Sequence, residues 1–170
     1  MKAAFMKSPF EFEVRDVNLR NIKPDEVLVK VKACSVCGHD MILAASGTDK
    51  WQSFGHEISG VVEEVGNLVH NVKKGDKVVL ESGTFDRYSD NSRNGRVDLD
   101  NKGPNFWMKE GETMGFAEYI IVPNEVCVKF DGISFEEASI VEPLGVALDL
   151  AKTASIKLNN DVLVIGLGPI

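Results

Sequence analysis

The first half of the chain carries the hydrophobic pattern of β-strands. In the segment EVLVKVKA, apolar residues recur at every second position and alternate with lysines, which is the period of a half-buried strand. Further β-rich segments are ISGVVEEVG, FAEYIIVP and EVCVKF, and a turn at 74–76 precedes a short apolar strand, Lys77–Leu80. Short strands joined by glycine-rich turns predict a mainly β domain, either a barrel or a sandwich.

The pattern changes after Gly132. Ser134 followed by Glu137 matches a capping box, which predicts a helix that begins there. We expect Pro143 to end or kink this helix, and the segment LGVALDLAKTA to be helical as well. An uninterrupted apolar segment at 161–165 then predicts a strand buried on both faces, as in a parallel sheet. The chain therefore divides into a β domain over 1–145 and the beginning of an α/β domain over 146–170.

Composition and charge narrow the class of protein. The 170 residues are 44% hydrophobic and 26% charged, which excludes a collagen-like or mostly disordered chain. The net charge of −7 does not provide the basic surface of a nucleic-acid-binding protein. No apolar segment approaches the ~20 residues that span a bilayer, and the start, MKAAFMKSPF, lacks the apolar core of a signal peptide. We therefore expect a cytoplasmic protein without nucleic-acid or membrane partners.

Three cysteines are too few for a disulfide framework and leave metal binding or burial as their roles. Cys37 and His56 each stand where a β segment gives way to a loop, and thiolate and imidazole are preferred zinc ligands. A third ligand could come from Glu57 or Glu142. On spacing alone the simpler interpretation is favoured, in which Cys37 is a small buried residue and His56 a hydrogen-bonded loop residue.

Two short motifs complete the candidate chemistry. Cys34 and Cys37 form a CxxC pair, but the pair follows a β segment in an all-β region, so a thioredoxin-type role is not expected. Cys34 continues its strand and Cys127 alternates within EVCVKF, so both are predicted to be packed. Gly166 and Gly168 follow an apolar segment and match the first two glycines of the dinucleotide-binding motif GxGxxG.

The order of these motifs resembles one enzyme family. The segments ACSVCGHD, GHEISGVVEEVG, KKGDKVVL, GFAEYIIVP, VEPLGVAL and VLVIGLGP are similar to those of the zinc-dependent medium-chain dehydrogenases, especially the sorbitol and threonine dehydrogenase branches. The resemblance covers nearly the whole chain and reverses the interpretation from spacing alone. It implies a GroES-like, partly open β-barrel that holds zinc, followed by the first helix and strand of a Rossmann domain for NAD or NADP. We therefore expect the chain to be the N-terminal half of a longer enzyme.

The resemblance also implies the residues of a zinc site. Cys37 and His56 match the family's cysteine and histidine ligands. Glu57 matches the glutamate of the GHE motif, which can bind zinc in polyol dehydrogenases. Glu142 matches a glutamate that contacts zinc directly or through water. Asp40 matches an aspartate that orients the ligand histidine, as is expected around a metal-bound imidazole.

Two departures from the family's pattern modify this expectation. His39 stands where relatives usually have a hydroxyl that relays the alcohol proton; an imidazole can do the same work, or it can face solvent and leave the relay to water. In the polar segment 81–115, the string SRNGRVDLD resembles the motif that holds a structural zinc in many relatives. The four cysteine positions are occupied here by Asp86, Ser89, Ser92 and Asp100. We therefore expect one catalytic zinc, no structural zinc and a mobile lobe.

The implied function is an oxidoreductase that transfers hydride between a secondary alcohol, of polyol or sugar-alcohol type, and NAD or NADP. Its partner would be that small-molecule alcohol, and its full-length form a homo-oligomer, either a dimer or a tetramer. Two alternatives remain: a zinc-independent quinone or enoyl reductase, and a GroES-like β module with a non-catalytic binding or assembly role. The aromatic residues Trp51, Phe54, Phe106 and Trp107 could line a substrate cleft or simply pack locally.

Overall fold

The computed structural model describes residues 1–86, 88–100, 112–166 and 168. Within these ranges the strands form two antiparallel sheets, so the predicted mainly β fold is confirmed. The strands are β1 (Lys2–Lys7), β2 (Glu11–Asp16), β3 (Glu26–Ser35), β4 (Gln52–Ser53), β5 (Glu57–Val65), β6 (Lys77–Leu80), β7 (Tyr119–Pro123) and β8 (Cys127–Lys129). The predicted segments correspond to β3 and to the four strands from β5 to β8.

The two sheets are joined along the segment 116–118. The smaller sheet has the order β2-β1-β4 and the larger the order β7-β3-β5-β6-β8. The Phe116 carbonyl accepts a hydrogen bond from the Ala4 N–H in β1 (2.8 Å), and the Glu118 carbonyl accepts one from the Val31 N–H in β3 (3.0 Å). One short segment therefore bonds to both open sheets and holds the smaller sheet beside the larger one.

Period-two burial builds the core of the larger sheet. Val27 and Val29 of β3 are fully buried, and the partly buried Val31 packs against the same cluster. Neighbouring strands contribute further buried apolar residues: Ile58, Val62, Val78, Leu80, Ile120 and Val122. Full burial of each such side chain contributes about 1.5–3 kcal/mol relative to exposure. The core thereby fixes the pairing of β3 with β5, on which the site described below depends.

The α-helices among the described residues are α1 (Gly38–Ile42), α2 (Asp90–Arg93), α3 (Phe135–Ser139) and α4 (Val141–Thr153). The predicted capping box at the start of α3 is confirmed, since Ser134 Oγ accepts from the Glu137 N–H (3.1 Å) and Glu137 Oε2 from the Ser134 N–H (2.8 Å). The helix that begins after Ser134 ends at Ser139, four residues before Pro143, so the expected break is confirmed. The break falls at Ile140, and Pro143 lies in the first turn of α4, where an N–H has no partner within the helix.

The predicted strand at 161–165 is not formed. The described residues 161–166 are neither helix nor strand, and Leu163 and Ile165 are 83% and 90% exposed. A strand exists only when a neighbouring strand accepts its hydrogen bonds, and no described strand lies beside this segment. The assignment of Gly166 and Gly168 to cofactor binding stays a prediction. So does the domain boundary between 145 and 146, which falls within α4.

None of the described helices combines the length and the apolar character that a bilayer crossing requires.

Candidate metal centre

The register between β3 and β5 brings three metal-ligating side chains together. Ser35 at the end of β3 pairs with Glu57 at the start of β5. Cys37 follows β3 by two residues and His56 directly precedes β5, so both lie at the same end of this strand pair. One ligand atom of each of Cys37, His56 and Glu57 lies within 4.8 Å of the others. The chain thus assembles a thiol, an imidazole and a carboxylate at one point.

A short helix fixes the position of the Cys37 thiol. Cys37 is the N-cap of α1, and its Sγ accepts a hydrogen bond from the His39 N–H (3.4 Å). The Cys37 N–H in turn donates to Oδ2 of Asp40 (3.0 Å), which completes a capping box. This reciprocal pair holds the backbone between residues 37 and 40, so the thiol leaves the strand in a defined direction.

Asp40 also connects α1 to the loop that carries His56. Asp40 is 3% exposed, its Oδ1 accepts from the Gly55 N–H (3.4 Å), and the same oxygen lies 3.7 Å from Nδ1 of His56. A carboxylate in this position can hold one imidazole nitrogen and leave the other for a metal ion. The role that the resemblance implies for Asp40, orienting His56, stays a prediction.

Gly55 is a site residue that the sequence reasoning did not single out. Its φ is +89°, and a Cβ added there would lie 2.8 Å from Sγ of Cys34 and 2.5 Å from the Phe116 ring. Both facts favour glycine, since other residues rarely adopt this conformation and their Cβ would collide with these two side chains. The available signal was the glycine directly before His56 in the string FGHE.

The electrostatics of the three-residue cluster suit a cation. Burial raises the pKa of the Cys37 thiol, and the nearby charges of Glu57 and Asp40 raise it further. Burial likewise raises the pKa of the Glu57 carboxyl, with Glu142 and Asp40 acting in the same direction. Several acidic groups that disfavour one another's ionisation become compatible once a positive ion lies among them. Sulfur, nitrogen and carboxylate donors together are the set that zinc prefers, so the residues present fit this metal.

Glu142 and His39 lie near the cluster but outside it. Glu142 is partly buried in the first turn of α4, and the Cys37–His56–Glu57 group does not include it. Its charge nevertheless acts on Glu57, so the two carboxylates are near one another. His39 is exposed, and its ring centroid lies 6.0 Å from that of His56. The geometry therefore places Glu57 in the ligand group and both other residues at its edge.

The remaining cysteines are structural, as their positions predict. Cys34 lies within β3 and packs against the core, and Cys127 in β8 is 6% exposed. Burial raises the pKa of each thiol to about 12, so both stay protonated at neutral pH. Neither has the accessible, low-pKa thiol of a redox centre.

The described aromatic candidates make local packing contacts. The Trp51 ring is stacked by the Arg15 guanidinium, 4.9 Å from the ring centroid. Phe54 packs against Phe116, with ring centroids 4.6 Å apart. Phe106 and Trp107 lie outside the described residues. These packing contacts account for the positions of Trp51 and Phe54 without a role in substrate binding. Phe54 also directly precedes the loop of Gly55 and His56.

In the segment 81–115, hydrogen bonds connect three of the four residues that stand where many relatives have zinc-binding cysteines. The hydroxyls of Ser89 and Ser92 both donate to Oδ2 of Asp100, the second at 3.2 Å. Asp86 lies just outside this arrangement, where its carbonyl accepts from the Ser89 N–H (3.1 Å). The Asp100 side chain, eleven residues after Ser89, thereby binds the start of α2. We call this arrangement of Ser89, Ser92 and Asp100 the serine clasp.

Asp100→Ala is expected to loosen the lobe without affecting the rest of the fold. The substitution removes the acceptor of both serine hydroxyls, and hydrogen bonds to a charged group contribute about 1.5–3 kcal/mol each at most. Because the clasp is only partly buried, we expect a rise of about 10-fold in the rate of proteolytic cleavage within 81–115. Asp90→Ala, at an exposed carboxylate of the same lobe, is the matched control and should change little. Equal cleavage rates in the two variants would contradict a role for the clasp.

Comparison with known proteins identifies relatives over nearly the whole chain. Residues 23–132 match the family described as Alcohol dehydrogenase GroES-like domain. The chain is 34% identical to D-xylulose reductase of Saccharomyces cerevisiae over 99% of its own length and 49% of that relative. It is 32% identical to (R,R)-butanediol dehydrogenase of Bacillus subtilis over 100% of its length and 52% of that relative. The chain thus spans about half the length of these curated relatives.

A solved structure shares the fold. It is described as a zinc-binding dehydrogenase of Sinorhizobium meliloti 1021 bound to NADP, and it is 27% identical to this chain with a TM-score of 0.76. The match covers 89% of this chain and 45% of that structure. The arrangement of strands around the three-residue cluster therefore belongs to a known architecture.

Proposed function

Because the chain belongs to the alcohol dehydrogenase GroES-like domain family, we propose that it is the zinc-holding part of an NAD(P)-dependent alcohol dehydrogenase. The observation that carries this proposal is the convergence of Cys37, His56 and Glu57 within 4.8 Å. A zinc-independent reductase or a non-catalytic β module has no need for this donor set. The names of the two relatives and of the NADP-bound structure support the same reaction class.

The proposed zinc ligands are Cys37 Sγ, one His56 ring nitrogen and the Glu57 carboxylate. Glu142 lies at the edge of the group and would bind directly or through a water molecule. When bound, zinc supplies Lewis-acid chemistry, which favours loss of the hydroxyl proton from an alcohol. The nicotinamide supplies the hydride chemistry, and Gly166 and Gly168 are proposed to contribute to its site.

The chain's own residues then orient the ligands and move the proton. Asp40 Oδ1 faces Nδ1 of His56 and thus favours coordination through the other ring nitrogen. His39 is exposed beside the cluster, so its ring can accept the alcohol proton and exchange it with bulk water. We propose His39 as the proton carrier and Asp40 as the residue that orients His56.

The proposed substrate is a secondary alcohol of polyol or sugar-alcohol type. This class follows from the printed names of the relatives, which act on xylulose and butanediol. We propose one catalytic zinc per chain and no second, structural zinc. Asp86 and the serine clasp stand at the four positions where relatives with a structural zinc have cysteines. The cytoplasmic location, the homo-oligomeric state and the choice between NAD and NADP stay predictions.

Metal analysis combined with an alcohol oxidation assay tests this function. The full-length protein should contain one zinc per chain and reduce NAD+ or NADP+ in the presence of a polyol such as xylitol or 2,3-butanediol. A strong chelator should abolish the activity, and added zinc should restore it, because the proposed site assembles from fixed ligands. Two tightly bound zinc ions would contradict the assignment of the lobe. Activity that survives complete removal of zinc would contradict the proposed mechanism.

A further inference from the structure

Three serine hydroxyls attach α3 to the strands that carry the proposed metal centre. Ser139 Oγ lies 2.6 Å from Ser35 Oγ, and Ser59 Oγ donates to the Phe135 carbonyl at 2.6 Å. Ser139 and Ser59 are 3% and 0% exposed. These contacts join segments separated by 104 and 76 residues, so they fix tertiary structure rather than local geometry.

The direction of the Ser35–Ser139 bond follows from the number of hydrogens. Ser139 Oγ donates its hydrogen to the Glu136 carbonyl at 2.8 Å. A hydroxyl has one hydrogen to donate, so Ser139 must accept from Ser35. The Ser139 hydroxyl thus donates once within α3 and accepts once from β3. Its removal would leave the Glu136 carbonyl and the Ser35 hydroxyl without this partner.

These contacts lie close in sequence to the proposed ligands. Ser35 precedes Cys37 by two residues, and Ser139 precedes Glu142 by three. Only Ile140 separates α3 from α4, and no side chain of α4 is buried. The first turn of α4 is therefore placed less by its own packing than by its short connection to the anchored α3.

We infer that Ser139 is a positioning residue which, through its bond with Ser35, holds the Glu142 carboxylate at its distance from the Cys37–His56–Glu57 group. This inference rests on the proposed function, because Glu142 matters only if the group binds a metal. It assigns a role to a residue whose hydroxyl bonds to Ser35 and Glu136 and not to a proposed ligand. Removal of the hydroxyl would shift α3 away from β3 and would displace Glu142 with it.

Zinc affinity of the full-length protein, measured by competition with a chromophoric chelator, tests the inference. Ser139→Ala should weaken zinc binding by about 10–100-fold, the range typical of residues that position metal ligands. The visible spectrum of the cobalt-substituted protein should change as well, since it reports ligand geometry. Thr113→Val is the matched control, because it removes a buried hydroxyl that donates to the Tyr119 carbonyl (2.9 Å), outside α3. It should leave both readouts unchanged.

A double-mutant cycle separates positioning from general stability. If Ser139 acts through Glu142, Ser139→Ala should have no further effect on zinc affinity in a Glu142→Gln background. Additive losses, or a Glu142→Gln variant with unchanged affinity, would overturn the inference. Should Ser139→Ala fail to fold, Ser35→Ala removes the same bond from the strand side and is judged by the same criteria.

Cys37→Ser distinguishes the failure of this inference from the failure of the proposed function. If the full-length protein binds no zinc, or binds it equally well after Cys37→Ser, the metal centre itself is wrong. If Cys37→Ser loses zinc while Ser139→Ala binds it normally, only the positioning role is overturned.

Discussion

Cys37→Ser is expected to leave the full-length protein folded but without zinc and without dehydrogenase activity. The hydroxyl can still cap α1 in place of Sγ, which accepts from the His39 N–H. A neutral hydroxyl cannot replace a thiolate as a zinc ligand. Residues that merely support metal ligands contribute about 10–100-fold to affinity, so the loss of a ligand should exceed that range. Zinc content per chain and the far-UV circular dichroism spectrum measure the two effects.

Cys127→Ala is the control for this experiment. Its thiol is buried in β8, within the hydrophobic core and away from the metal-ligating group. The substitution should lower thermal stability modestly through lost packing and should leave zinc content unchanged. A Cys37→Ser protein that retains one zinc per chain would show that the site lies elsewhere.

His39→Ala is expected to lower turnover by about 10²–10⁴-fold, the usual contribution of a general acid or base. Zinc should remain bound, because the contact from residue 39 to Cys37 Sγ comes from its backbone N–H. The imidazole ring is exposed and beside His56, where it can pass a proton from the alcohol to water. Steady-state kinetics with the preferred polyol, together with metal analysis, measure these effects.

Two further variants make the His39 experiment specific. His39→Ser should recover part of the turnover, because a hydroxyl can also relay a proton. His70→Ala removes another exposed histidine, and turnover should stay at the level of the unmodified enzyme. Near-normal turnover of His39→Ala with an unchanged pH profile would show that water alone carries the proton.

The local sequence pattern was sufficient to predict the elements that have one buried face or a capping motif within a few residues. β3 alternates between core and surface, and the α3 capping box lies within four residues, so both follow from neighbouring residues alone. The first strands lack such a signal. In β1 the fully buried positions are Ala3 and Met6, three residues apart, and β2 exposes Phe12 and Val14. Their pairing is decided by partners elsewhere in the chain.

For the candidate site, the sequence by itself determined the types of donor, because the thiol, imidazole and carboxylates belong to recognisable motifs. Only the tertiary structure decided which donors meet. The pairing of Ser35 with Glu57 brings Glu57 into the group, and the break at Ile140 places Glu142 at its edge. Strand register and helix docking depend on contacts between residues far apart in the chain. The type of donor atom is a property of a single residue. The distances between donors in a metal centre are set only by the packing of the chain.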